Sequence, residues 1–138
     1  MDKEIPKYDV LLTPFKLKHL KIRNRIMSTA HAPAYAEDGM PGERYQLYHE
    51  EKAKGGIGLS IFGGSSTISA DCPATFGQIS MATDRVVPYL KEFSERIHQH
   101  GAALWCQITH MGRRSRWDTG DWLPPVAPSR VREPENRS

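Results

Sequence analysis

Cysteine is almost absent from this 138-residue sequence: Cys72 and Cys106 stand alone, neither in a CxxC pair. This chain therefore cannot by itself build a zinc site or bind an iron–sulfur cluster, and two buried thiols in a reducing cytoplasm account for the pair. No apolar run approaches membrane-spanning length, and the opening MDKEIPKYD has no hydrophobic core of a secretion signal. The expectation is a cytoplasmic protein with no membrane partner. Charge of one sign is equally scarce. Nineteen basic residues are interspersed with sixteen acidic ones for a formal charge of +3, so no nucleic-acid partner is expected. There is no GxGxxG after a strand pattern, no GxxxxGK[ST] and no HExxH, which removes the main support for Rossmann, P-loop and zinc-protease readings. The GGIG of Gly55 to Gly58 precedes a strand pattern rather than a helix, so it is not a phosphate loop.

What is present is ordinary globular composition, 38% hydrophobic and 25% charged, in a length that holds one core at most. Leu11 to Ile22 alternates apolar residues around Pro14 and predicts a small hairpin or extended cover. Arg25 to Ala30 reads as a first strand, followed by a long loop with two prolines and an Asp-Gly pair. A helix is predicted from Pro41-Gly42 to Lys54, acidic at its start and basic at its end. Gly55-Gly56 stops it. Ile57 to Phe62 reads as a second strand, with Gly63 beginning a loop. Val86, Leu90, Phe93 and Ile97 recur at helical spacing, so a second helix is predicted from Thr83 or Asp84, either of which could cap it, to His100. Strands alternating with helices predict a parallel sheet with right-handed crossovers. A closed eight-unit barrel usually needs about 250 residues, so a chain of this kind would stop less than halfway round.

The third strand, Ala102 to Thr109, carries the most information. Ala102, Leu104, Cys106 and Ile108 share one apolar face; Ala103, Trp105, Gln107 and Thr109 share the other. A loop with His110, Gly112, Arg113 and Arg114 follows. Polar groups at the carboxyl end of a buried strand are where α/β folds place ligands. Gln107 is a candidate reader of a cofactor edge, the alternative being a satisfied core amide. His110 is either an acid or a structural strand-end histidine. Arg113 is either an anion clamp or a solvated cation.

Several motifs in order then become recognisable. LLTPFKLKHLKIRNRI, MSTAH (Met27 to His31), GGIGLSIFGGSS, CQITHMGRR and PVAPSRV together resemble the Old Yellow Enzyme-like FMN oxidoreductases, the NADH:flavin oxidoreductase/NADH oxidase family. The resemblance runs from about Tyr8 to Arg132. It implies an α/β fold, the N-terminal portion (about three βα units) of a TIM barrel, with residues 1–138 read as a truncated part of one FMN-binding domain. It implies FMN at the strand tips, with Ser28, Thr29, Ala30 and His31 lining the ring. Gly64 would lie where a larger side chain would intrude, and Gln107 would bond the pyrimidine edge. An amide offers both donor and acceptor, and glycine permits close backbone approach. Without the family, Gly64 reads equally as a strand-end turn and His31 as a plain loop histidine.

The sequence is most similar to the family's amine dehydrogenase, N-methylproline demethylase and dienoyl-CoA reductase branch. This implies oxidative demethylation of a small N-methylated amine or amino acid. NAD(P)H or another electron donor or acceptor would be the partner, with a homo-oligomer possible. A 4Fe-4S cluster would belong to a longer form, with ligands outside this chain, as would the catalytic acid. Alternatives are an NAD(P)H-dependent ene or dienoyl reductase of the same family, an inactive truncated chain, and an RNA-binding surface of Arg113, Arg114, Arg116 and Trp117.

Overall fold

The computed structural model describes residues 9–72, 74, 77–115 and 126–131. A short helix α1 (Asp9–Leu12) leads into an antiparallel hairpin of β1 (Phe15–Leu17) and β2 (Leu20–Ile22). Then follow β3 (Met27–Ser28), α2 (Glu43–Lys54), β4 (Leu59–Thr67), α3 (Val87–His98) and β5 (Ala103–Thr109). The strands form a parallel sheet in the order β3-β4-β5, as the alternation of elements predicts. Among the described residues no helix is long and apolar enough to cross a membrane. The chain before Asp9 and most of the proline-rich stretch after Ser115, with Arg116 and Trp117 of the RNA-binding alternative, lie outside the described residues.

Both helices pack on one face of the sheet. Phe62 of β4 and Ala102 beside β5 meet Tyr45 and Ala53 of α2 and Phe93 and Ile97 of α3, with Leu104 and Cys106 against the same cluster. The predicted α3 stripe is confirmed at Val86, Phe93 and Ile97, all buried, while Leu90 is half-buried. The helix itself starts later than expected. Asp84–Val86 is a 3-10 turn, and Thr83 precedes it in extended conformation without a side-chain capping bond. Pro88 lies in the first turn of α3, where its missing N–H costs nothing.

The α2 helix buries Tyr45, Gln46, His49, Glu50 and Ala53. Three of these five are polar, so a hydropathy pattern cannot show this face. Each of the three makes at least one bond inside, although Gln46 Oε1 and His49 Nε2 stay without a partner. The His49 Nδ1 lies 2.9 Å from Ser60 Oγ, and Gln46 donates to the Pro41 carbonyl. Glu50 gathers Arg96 and His100 from the α3 side. Those bonds, His100 first, hold its carboxyl below the ordinary carboxylate range. Burial pushes His49 the other way from charge, down to about 3.

The second strand departs most from expectation. Instead of ending at Phe62, β4 begins at Leu59 and runs to Thr67. The glycines expected to open a loop lie inside the strand as a bulge. Pairing with β5 passes from Phe62↔Cys106 directly to Ser66↔Ile108, and Gly63 and Gly64 take φ of 102° and 71° to absorb the extra residues. The alternation of faces along β4 therefore breaks there. The first strand is correspondingly short, two residues instead of six.

The other face of the sheet carries Met27, Leu59, Ile61 and Trp105, and the hairpin covers only its lower part. Phe15, Leu17 and Ile22 close over Met27, Leu59 and Trp105 around an apolar cavity of about 300 Å³. This cavity lies at the starts of the strands, away from their tips. Below it Arg23 ties the elements together. Its guanidinium donates to the Ala53 carbonyl at the end of α2 (2.8 Å) and to that of His100 after α3 (2.5 Å). Two more bonds reach the Ile57 carbonyl ahead of β4. Helix ends leave carbonyls without intrahelical partners, and one planar cation bonds a carbonyl in the last turn of α2 and another just past α3.

Both the Arg23 clamp and the buried His49 are open to measurement. Arg23→Ala should lower unfolding free energy by about 3 kcal/mol in urea titration, with Arg23→Lys recovering only part of it; equal stability of all three proteins would contradict the clamp. Folded His49 stays neutral down to about 3 whereas the unfolded chain takes up that proton near 6.5. Stability should therefore fall as pH drops through that window, with a slope approaching about 1.4 kcal/mol per pH unit. Glu50 acts in the same direction only lower, below its ordinary 4.5. Denaturation midpoints at stepped pH should lose the upper part of this slope in His49→Gln; an unchanged slope would show that another group carries it.

Candidate active site

Parallel pairing brings the carboxyl ends of β3, β4 and β5 to one edge of the sheet. Gln107 lies two residues from the end of β5, on the same face as Trp105. Leu104 and Cys106, of opposite parity, pack toward the helices. The Gln107 carboxamide thus looks away from the helical layer and is exposed. Its Nε2 donates to the Gly64 carbonyl at 3.0 Å, which fixes the amide across the gap between two strand tips. Ile108, expected on the packed face, lies beyond the core and is 58% exposed.

Gly64 is tightly placed. A Cβ there would sit 2.7 Å from both the backbone N of Ala32 and the backbone C of His31. The neighbour that a larger side chain would strike is the chain leaving β3. Gly63 is equally confined, with the Gln107 carbonyl and Ser66 Oγ each 2.6 Å from its would-be Cβ. Its N–H donates to the hydroxyl of Tyr45, a phenol that burial pushes up to about 12. Tyr45 therefore stays a neutral hydroxyl under the bulge.

The four residues after Met27 divide between two directions. Ser28 Oγ accepts from Lys52 Nζ at 3.1 Å, so its side chain faces α2 rather than the open side. Thr29 is exposed and Ala30 half-buried. The His31 ring also turns to α2, where Nε2 lies 2.6 Å from the Tyr48 hydroxyl and Nδ1 lies 3.4 Å from the Thr29 carbonyl. The structure thus gathers the His31–Ala32 backbone, Gly64 and Gln107, with Thr29 exposed nearby in sequence, and holds the side chains of Ser28 and His31 on the helix side.

His110 adopts its structural alternative. Its Nδ1 accepts from Gly112 N at 3.0 Å and its Nε2 lies 3.3 Å from Asp71 Oδ2, tying the loop after β4 to the loop after β5. With one nitrogen accepting and the other donating, little capacity is left for acid chemistry. Asp71 in turn is held below the usual carboxylate range by Ser69 first and His110 second. Arg113 sits in the 3-10 turn Gly112–Arg114 and is exposed. Sequence reasoning missed Lys52, Asp71 and the polar role of Tyr48. Tyr48 and Lys52 are spaced i, i+4 on α2, which places them on one helix face, but Tyr48 reads as part of an apolar stripe.

A polar amide on an open sheet face, beside backbone that only glycine admits, is suited to a flat group with hydrogen-bonding edges. Comparison with known proteins points the same way. Residues 10–138 match the model of the NADH:flavin oxidoreductase / NADH oxidase family. The chain is 59% identical over 130 residues to a multifunctional alkene reductase/demethylase from Caballeronia cordobensis, covering 94% of this chain and 19% of that protein. It is 50% identical, with the same coverage, to a probable N-methylproline demethylase from Rhizobium meliloti. The chain thus spans about a fifth of the length of these curated relatives. Among solved structures, morphinone reductase aligns with a TM-score of 0.78 at 28% identity, covering 88% of this chain and 32% of that one. The parallel unit is accordingly about three βα units of a TIM barrel, unclosed.

Gly64→Ala tests the crowding at the strand tips. Gly101 has the same φ of 71° but only ordinary contacts at 3.6 Å or more, so Gly101→Ala isolates the cost of the left-handed backbone. That cost is about 1–2 kcal/mol. Gly64→Ala should cost about 1–3 kcal/mol more, the range for overpacking, read from denaturation curves. Equal losses in the two variants would contradict the close approach.

Proposed function

The chain belongs to the NADH:flavin oxidoreductase / NADH oxidase family, and on that premise we propose that it is part of an FMN-dependent oxidoreductase acting on a small N-methylated amine or amino acid. The Gln107 carboxamide carries the reading, presented on the open face at the strand tips and bonded to the Gly64 carbonyl. An amide can donate to and accept from the edge of a flavin ring at once. Gly64, lacking Cβ, and the backbone of Thr29 to Ala32 would form the neighbouring wall. Bound FMN would supply the hydride acceptor for an N-methyl carbon.

This chain's own residues would bind and orient rather than move protons. Gln107 would fix the ring's position, and Tyr45, kept neutral under the bulge, would hold the Gly63–Gly64 backbone in place. His110, bonded at both nitrogens, would brace the rim. The proton-transfer groups would come from outside this chain, and a cytoplasmic location fits this chemistry. The names of the Caballeronia and Rhizobium relatives support demethylation. The former name also includes alkene reduction, which keeps NAD(P)H-dependent ene reduction as the second reading.

The test is anaerobic reduction of the isolated flavoprotein. An N-methylated amino acid should bleach the flavin's visible band and release formaldehyde, whereas bleaching by NADPH together with turnover of an enone, and none by the amine, would favour the second reading. Gln107→Leu should weaken flavin binding about tenfold or more, from loss of one or two hydrogen bonds; unaltered affinity would remove Gln107 from the site.

A further inference from the structure

The side chains of Ser28 and His31 turn away from the open face, yet both are engaged by one face of α2. Lys52 Nζ donates to Ser28 Oγ at 3.1 Å, and Tyr48, one helical turn earlier, meets His31 Nε2 at 2.6 Å. The two helix residues also touch each other, with the Lys52 ammonium 4.2 Å over the Tyr48 ring. In a neutral ring bonded at both nitrogens, hydrogen-bond chemistry then sets the proton. The Thr29 carbonyl can only accept, so the His31 Nδ1 at 3.4 Å from it carries the hydrogen. The bare Nε2 must accept, so Tyr48 donates. Tyr48 is itself wedged edge-on between Tyr35 and His49, with ring centroids 5.8 and 5.2 Å away, which leaves its hydroxyl little choice of direction. On the other side the same stretch rests on Gly64, where no side chain fits.

We propose that Tyr48 is a positioning residue: its hydroxyl locks His31 in the Nδ1–H tautomer and, with Lys52, sets the height of the Ser28–Ala32 strap over Gly64. The consequence for flavin rests on the reading above, in which this strap is one wall of the site. The wall is held from the helix layer, so it is formed before any ligand arrives. Tyr48 touches neither substrate nor cofactor in this account. It acts through His31.

Tyr48→Phe keeps the ring contacts and removes only the donor. Nitrogen NMR of the wild-type chain should show His31 as the Nδ1–H tautomer. In Tyr48→Phe the ring nitrogens should shift toward a mixture, and amide exchange at Thr29 to Ala32 should quicken about tenfold. Lys52→Met should loosen Ser28 while leaving the His31 tautomer alone. A wild-type His31 protonated on Nε2 overturns the proposal without any variant, as does an unchanged tautomer and strap in Tyr48→Phe. Titration with FMN reports separately on the flavin reading. The variant should bind about five- to tenfold more weakly than wild type. If wild type binds no FMN while the tautomer still shifts, the flavin reading fails and the positioning role stands.

Discussion

Two adjacent residues without side chains govern the upper end of this sheet. Gly63 and Gly64 take left-handed backbone angles in the middle of β4, where any other residue would be strained. That bulge does three things at once. It re-aims the Gly64 carbonyl at the Gln107 amide. It admits the His31–Ala32 backbone to a distance that no Cβ would allow, and it lets Ser66 and Thr67 resume pairing with β5. Bulges that bend a strand beside a site are a recurring device for redirecting side chains. Here the bulge joins the tips of three strands.

The Arg23 clamp and the Gly63–Gly64 bulge occupy opposite ends of the same sheet. At the lower end Arg23 bonds a carbonyl in the last turn of α2 and one just past α3, and Gly58 admits the Ile22–Asn24 segment, since a Cβ there would lie 2.7 Å from the Asn24 carbonyl oxygen. The helix-facing layer is polar as well as apolar: His49 with Ser60, and Glu50 with Arg96 and His100, link α2 to β4 and α3. A barrel that keeps its ligand groups on loops at the carboxyl end can vary them without disturbing this scaffold. The rim tie between His110 and Asp71 belongs to the upper end but is structural in kind.

The sequence was legible wherever one periodicity held without interruption. The α3 stripe, the parallel order of strands and the outward-facing parity of Gln107 all follow from spacing alone, and the motif series named the family. Legibility failed where polar residues were buried or glycines lay inside a strand. The buried face of α2 contains Gln46, His49 and Glu50, which hydropathy counts as solvent-facing. Gly63-Gly64 reads as a loop start because glycine usually interrupts strands, and only the pairing register distinguishes a bulge from a turn. The directions of Ser28 and His31 were invisible because β3 spans two residues, too few for alternation to mark a face, and their partners come from a helix far along the chain.

On the proposed reading, the strand tips present the Gln107 carboxamide, braced by Gly64, to a flavin ring. The most direct measurement is the pair of side-chain amide proton resonances of Gln107 during titration with FMN. These resonances should shift saturably, together with the backbone amides of Thr29 and Gly64, while the amide of Arg23 at the lower end stays still. Saturable FMN binding that moves the lower cavity around Trp105 and Phe15 and leaves the Gln107 side chain unmoved would contradict it.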